Sequence, residues 1–160
     1  MPASWALTVV FAAAATWFLV GCARPVACTS ERITRGTHVL MGLTMIGMVW
    51  GTELPVWLQV TYFGAVTFWF AGLATVPHRS EGLPAMHHAL MAAAMAWMVV
   101  TMSVGRLSVI TVVTAVLAWY FVVASLPFGY GALRRRLRPL DAAGHAAMSL
   151  GMGVLLLTMV

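Results

Sequence analysis

The sequence predicts an all-α polytopic membrane protein of six transmembrane helices, arranged as three repeated helical hairpins about a pseudo-threefold axis. Three observations predict it. The 160 residues are 62% hydrophobic and only 8% charged, with a mean hydropathy of +0.94, far from the balance of soluble domains. Apolar runs of about 20 residues, the length that crosses a bilayer, alternate with short polar breaks. A third observation is a recurring spacing: His38, Met41, Met45 and Met48, then His88, Met91, Met95 and Met98, then His145, Met148 and Met152, with Leu155 in the last methionine position. Six spans leave room only for short connections, so residues 1–160 read as a single transmembrane domain.

The first helix is expected over Ser4–Cys22. Leu19-Val20-Gly21-Cys22 resembles a lipoprotein cleavage site, but no Lys or Arg precedes the run as a signal peptide requires, so the helix is read as retained. The second is expected from about Ile33 to Gly51, followed by a turn at Thr52-Glu53-Leu54-Pro55. Pro55 suits the start of the third, which reaches about Val76. After the polar break His78–Leu83, Pro84 falls in the first turn of the fourth helix, where its missing N–H costs nothing, and that helix ends near Gly105. The fifth is expected from about Leu107 to Leu126, stopped by Pro127 and Gly129. Asp141 then serves as the N-cap of a sixth helix that runs to Val160.

All nine basic residues are arginine. Eight of them, Arg24, Arg32, Arg35, Arg79, Arg134, Arg135, Arg136 and Arg138, fall between helices one and two, three and four, or five and six, and Arg106 alone falls elsewhere. The positive-inside rule then places those connections in the cytoplasm of a bacterial plasma membrane and both termini outside it. Trp5, Trp50 and Trp57 fall near the outer interface, where indoles are favoured. The net charge of +5 therefore addresses anionic lipid, and no nucleic-acid partner is expected. Cys22 and Cys28 are expected to be reduced thiols on the cytoplasmic side, able to accept a soft metal or simply free.

The repeat extends to the odd-numbered helices. The pairs Trp17-Phe18, Trp69-Phe70 and Trp119-Tyr120 precede His38, His88 and His145. Parallel hairpins of this kind place the three even-numbered helices around an axis along the membrane normal. On a helix the repeated offsets fall within an arc of about 80°, so each set forms one narrow stripe about 15 Å long. Facing stripes would stack as rings: His38/His88/His145, Met41/Met91/Met148, Met45/Met95/Met152, and Met48/Met98 with Leu155.

Ten of the twelve methionines lie on the even-numbered helices and none on the odd, a segregation that generic filler would not produce. Thioether sulfur is a soft ligand and imidazole a borderline one, so a His/Met set without carboxylates suits Cu(I). The competing reading is packing, since methionine is an ordinary core residue and the small neighbours Ala92, Ala93, Ala94, Gly151 and Gly153 permit close helix contact. Electrostatics also weighs against a cation: the histidines are expected near positive helix N-termini and beside the arginines, a field that suits an anion such as a lipid phosphate.

His87 is expected to point about 100° from His88, as an interfacial residue. His78, Arg79 and Glu81 read as a solvated loop and Glu53 as part of a turn. No Ser stands beside a His, no carboxylate is expected in the core and no phosphate-binding loop is present, so an enzyme is not expected.

The pairs Met41/Met45, Met91/Met95 and Met148/Met152 resemble the paired methionines of the eukaryotic high-affinity copper transporters, whose architecture differs. His88-Ala-Leu-Met91-Ala-Ala-Ala-Met95-Ala-Trp-Met98 and Gly144-His145-Ala-Ala-Met148-Ser-Leu-Gly-Met152 resemble an actinobacterial family of small multi-pass membrane proteins with no assigned activity. That resemblance covers most of the chain and implies the fold and a plasma-membrane location. The function expected from the stripes is Cu(I) binding, in copper handling, transport or delivery to a membrane cuproenzyme. The alternative is a structural or assembly subunit of a respiratory or envelope complex, with stripes that only pack.

Overall fold

A computed structural model of the chain describes residues 2–23, 29–52, 54–75, 82–104, 108–133 and 139–160. They form six helices and, among the described residues, no strand: α1 (Pro2–Cys22), α2 (Thr29–Trp50), α3 (Val56–Ala74), α4 (Gly82–Val104), α5 (Ser108–Leu133) and α6 (Pro139–Leu157). Five contain segments long and apolar enough to cross a membrane: Ser4–Cys22, Val56–Ala74, Ala85–Ser103, Ser108–Gly131 and Leu140–Leu157. α2 is as long but less apolar, because Glu31, Arg32 and Arg35 belong to its first turns. The exteriors suit lipid: Trp57, Phe68, Val109 and Leu126 all stand exposed. Helix-borne hydroxyls satisfy themselves locally, as Thr8 donates to the Ser4 carbonyl and Thr44 to that of Leu40, which keeps them tolerable in hydrocarbon.

Several boundaries differ from the sequence expectation, each for a local reason. α2 begins at Thr29 rather than Ile33, since Glu31 and Arg35 pair at i,i+4 at 2.7 Å and support a helical turn instead of a loop. It closes at Gly51, whose φ of +66° favours glycine. There the Thr52 N–H bonds to the Gly47 carbonyl at 2.9 Å and the Gly51 N–H to that of Met48 at 3.4 Å, a Schellman closure. α5 passes through Pro127 and Gly129 to Leu133. Only one backbone hydrogen bond is forfeited at a proline, and a helix in an apolar setting gains nothing by unwinding where its groups would find no water. α6 starts at Pro139, so Asp141 lies inside its first turn rather than at the N-cap, and its end at Leu157 is closed by the Thr158 and Met159 N–H groups.

The described residues group into two compact units. One comprises residues 1–53 and 111–160, and the other residues 54–110. In the first, α1 packs along α2 and also against α6. Glycines set the closeness of that packing: a Cβ at Gly42 would lie 3.1 Å from the Ala15 side chain and 3.1 Å from Met148 Cε, and one at Gly151 would strike the Phe11 ring. A Cβ at Gly153 would stand 3.0 Å from the Ala118 carbonyl, which brings α5 and α6 together. In the second unit α3 and α4 form an antiparallel hairpin with Phe63 and Phe70 buried.

Candidate metal centre

Every stripe methionine from the first two turns after its histidine is buried: Met41, Met45, Met91, Met95, Met148 and Met152 are each no more than 1% exposed, and Met98 is fully buried. Met48, at the far end of its stripe, is half-buried. Off the stripes the same residue type behaves differently, with Met86 at 47% and Met102 at 48% exposure on the same helix as Met91. Burial therefore follows the repeated spacing rather than residue type. The ten helical methionines still all lie on α2, α4 and α6, with Met86 inside α4 and Met159 just beyond α6.

In the first unit the structure brings together His38 of α2 and His145 of α6. Their ring centroids lie 4.7 Å apart with planes at 75°, and their ligand nitrogens fall within 4.8 Å of one another. His38 is buried, and its Nδ1 lies 2.7 Å from the Thr34 carbonyl. A carbonyl only accepts, so Nδ1 donates, and in a neutral ring Nε2 carries the lone pair. This is how metal-ligating imidazoles are commonly held, the outer nitrogen tied to a backbone oxygen. Two imidazoles on one ion stand at most about 4 Å apart, given metal–nitrogen bonds of about 2.0–2.1 Å.

Aromatic rings roof the pair. Phe18 lies 4.6 Å from the His38 ring and 5.2 Å from the His145 ring, and Phe128 lies 5.8 Å from His145. In the second unit His88 of α4 is half-buried, with Phe70 of α3 at 5.2 Å. His87, expected at the interface, is buried with its ring 6.1 Å from that of His88. Three times, then, an aromatic residue of an odd-numbered helix lies on a histidine of an even-numbered one. For His145 the aromatic of α5 is Phe128, not Tyr120. Trp119 and Tyr120 are exposed, and Phe128 was concealed by reading Pro127 as the end of α5.

The electrostatic expectation also changes. His38 lies nearly three turns inside α2, beyond the reach of a helix-end dipole, which fades within the first turn. The nearby Arg35, 8% exposed, is countered by two carboxylates: Nη2 lies 2.7 Å from Glu31 Oε1 and 3.5 Å from Asp141 Oδ2. Asp141 Oδ1 accepts from the Trp17 indole N–H at 2.9 Å. Among the described residues, the Arg35 charge beside the histidine pair is thus offset by the carboxylates of Glu31 and Asp141. The sequence reading had Arg35 in a loop and Asp141 as a cap, and missed this group; the i,i+4 spacings of Glu31/Arg35 and of Asp141/His145 were its visible traces.

Cys22 is a free, half-buried thiol whose Sγ lies 3.8 Å from the Arg32 carbonyl. Cys28, Glu53, His78, Arg79, Glu81 and the arginines at 24, 106, 134–136 and 138 lie outside the described residues.

A family profile described as a domain of unknown function (DUF5134) matches residues 30–159, from the start of α2 to the end of α6. The chain belongs to the DUF5134 family. All three stripes fall within that match, as do Arg35 and Asp141, whereas Phe18 and Trp17 of α1 precede it. No curated protein and no solved structure matches the chain. DUF5134 membership brings no reaction or ligand with it, so function has to be argued from the site.

Proposed function

We propose that the protein binds Cu(I) in a membrane and acts in copper handling, transport or delivery to a membrane cuproenzyme, without being an enzyme itself. The observation that carries this is the His38–His145 pair, two imidazoles with ligand nitrogens within 4.8 Å, one with its tautomer set by a backbone carbonyl. Met41 and Met148, one turn further along α2 and α6, add buried thioethers. Nitrogen and thioether ligands without a carboxylate among them favour a soft monovalent ion over Mg²⁺ or Ca²⁺. The repeated spacing extends the reading to His88, Met91, Met95 and Met98 of α4, and to Met45, Met48 and Met152.

The wider setting is part of the same reading: a bacterial, in origin actinobacterial, plasma membrane crossed six times by three pseudo-threefold hairpins. α2 spans as well, its charged first turns at the cytoplasmic surface, and both termini lie outside. The aromatic–histidine contacts Phe18–His38, Phe70–His88 and Phe128–His145 support the threefold repeat.

Purified protein should hold Cu(I) in competition with a chromogenic chelator, and His38→Ala with His145→Ala should abolish that. Undiminished binding in the double variant would sink the assignment. His88→Ala measured alone tells whether the third stripe contributes. One observation favours the second reading, a structural or assembly subunit: Met148 Cε lies where a Cβ on Gly42 would nearly touch it, as a packing side chain should. On that reading the purified protein carries no copper and takes none from the chelator.

A further inference from the structure

We infer that Asp141, with Arg35 and Trp17, is a positioning device that fixes the approach of His38 to His145; the consequence for metal affinity rests on the copper reading, whereas the positioning does not. The register makes the case. Trp17 immediately precedes Phe18 on α1, Arg35 stands three residues before His38 on α2, and Asp141 four residues before His145 on α6. On three helices, then, a polar residue within about one turn of the site joins one cross-helix group. Asp141 is its centre, with one oxygen on the Trp17 indole at 2.9 Å and the other 3.5 Å from the Arg35 guanidinium.

This group is needed because α2 and α6 both pack on α1, and the histidines meet across them through side chains. Glycine contacts hold α6 to α1 by shape: a Cβ at Gly144 would lie 3.0 Å from Phe18 Cζ. Such contacts fix how near α6 comes to α1 but carry none of the directionality of a hydrogen bond. A carboxylate shared between an indole N–H and a guanidinium supplies that directionality. Arg35 is itself held in place, since a Cβ on Gly21 would strike its guanidinium, so the side chain lies against the bare backbone of α1. Glu31, at 2.7 Å, fixes it from the other side.

The test is made on the full chain in detergent, first without metal. Phe18 lies over both rings, so its ring current shifts the His38 and His145 ring-proton resonances. Asp141→Asn should move the His38 and His145 resonances toward exposed values, and Asp141→Glu should restore them in part. Unmoved His38 and His145 resonances overturn the inference. If Asp141→Asn collapses every histidine signal to random-coil values, the chain has lost its fold and Trp17→Phe decides. That variant removes one hydrogen bond and keeps the ring, and a folded protein with unmoved His145 overturns the proposal. With Cu(I), Asp141→Asn should weaken binding, read as more Cu(I) passing to the competing chelator than from the wild-type chain. A wild-type chain that binds no Cu(I) removes the copper reading, yet leaves the metal-free result to decide the role of Asp141.

Discussion

At the scale of single residues, glycine marks where helices must touch. The buried ring of Phe11 occupies the space that a side chain on Gly151 would need, and the neighbours offer no room for retreat. Gly151→Ala should therefore destabilise the fold by about 1–3 kcal/mol, the usual range for overpacking, read as a lower melting temperature in detergent. Gly64 of α3 meets nothing within 4 Å, so Gly64→Ala should be neutral or stabilising by up to about 1 kcal/mol, since it only removes backbone freedom. Equal effects of the two substitutions would contradict the packing described. Sequence alone did not separate these glycines: both sit in apolar runs, and the difference lies in a partner ring 140 residues away in the chain.

At the scale of elements, the stripes were legible and the ties between them were not. Helical periodicity placed Met41, Met45, Met91, Met95, Met148 and Met152 on common faces, and all are buried. Two helix ends were misread because a local signal was taken at its value for water-exposed chains. Charge in Glu31–Arg35 suggested a loop, and Pro127 suggested a stop, yet an i,i+4 ion pair and an apolar surrounding favour helix at both places. The Trp17–Asp141–Arg35 group could not be read at all, since its members are up to 124 residues apart and no local pattern links them.

Two predictions belong to this scale. Met41→Leu with Met45→Leu should leave the fold within about 1.5 kcal/mol of wild type, because volume and apolarity are kept, while weakening Cu(I) binding in the chelator competition. Unchanged affinity would assign the α2 methionines to packing. Pro127→Ala should restore the hydrogen bond to the Val123 carbonyl and slow amide exchange near that turn of α5. Faster exchange there would mean that the helix needs its proline.

At the scale of the whole molecule, binding and topology give the measurable quantities. A ligand held only by the folded state stabilises it by about 2.7 kcal/mol at a concentration 100 times its dissociation constant. Cu(I) should accordingly raise the melting temperature of the wild-type chain but not that of the His38→Ala/His145→Ala variant, and equal shifts in both would point to adventitious binding. Short epitopes at both ends should be reached by antibody in intact cells, as the arginine distribution requires. Labelling only after permeabilisation would invert the orientation, and with it the side from which the histidines are approached.

The division of the first unit into residues 1–53 and 111–160 also has a meaning in time. A ribosome delivers α1 and α2 early, then the whole of the α3–α4 hairpin, and only with α6 the imidazole that meets His38. Until α6 is inserted, His38 stands beneath Phe18 without its companion imidazole, so a growing chain carries half of the pair and none of its spacing. The two-histidine arrangement thus forms only once α6 is made, and a shorter nascent chain lacks the pair to which the copper reading assigns the ion.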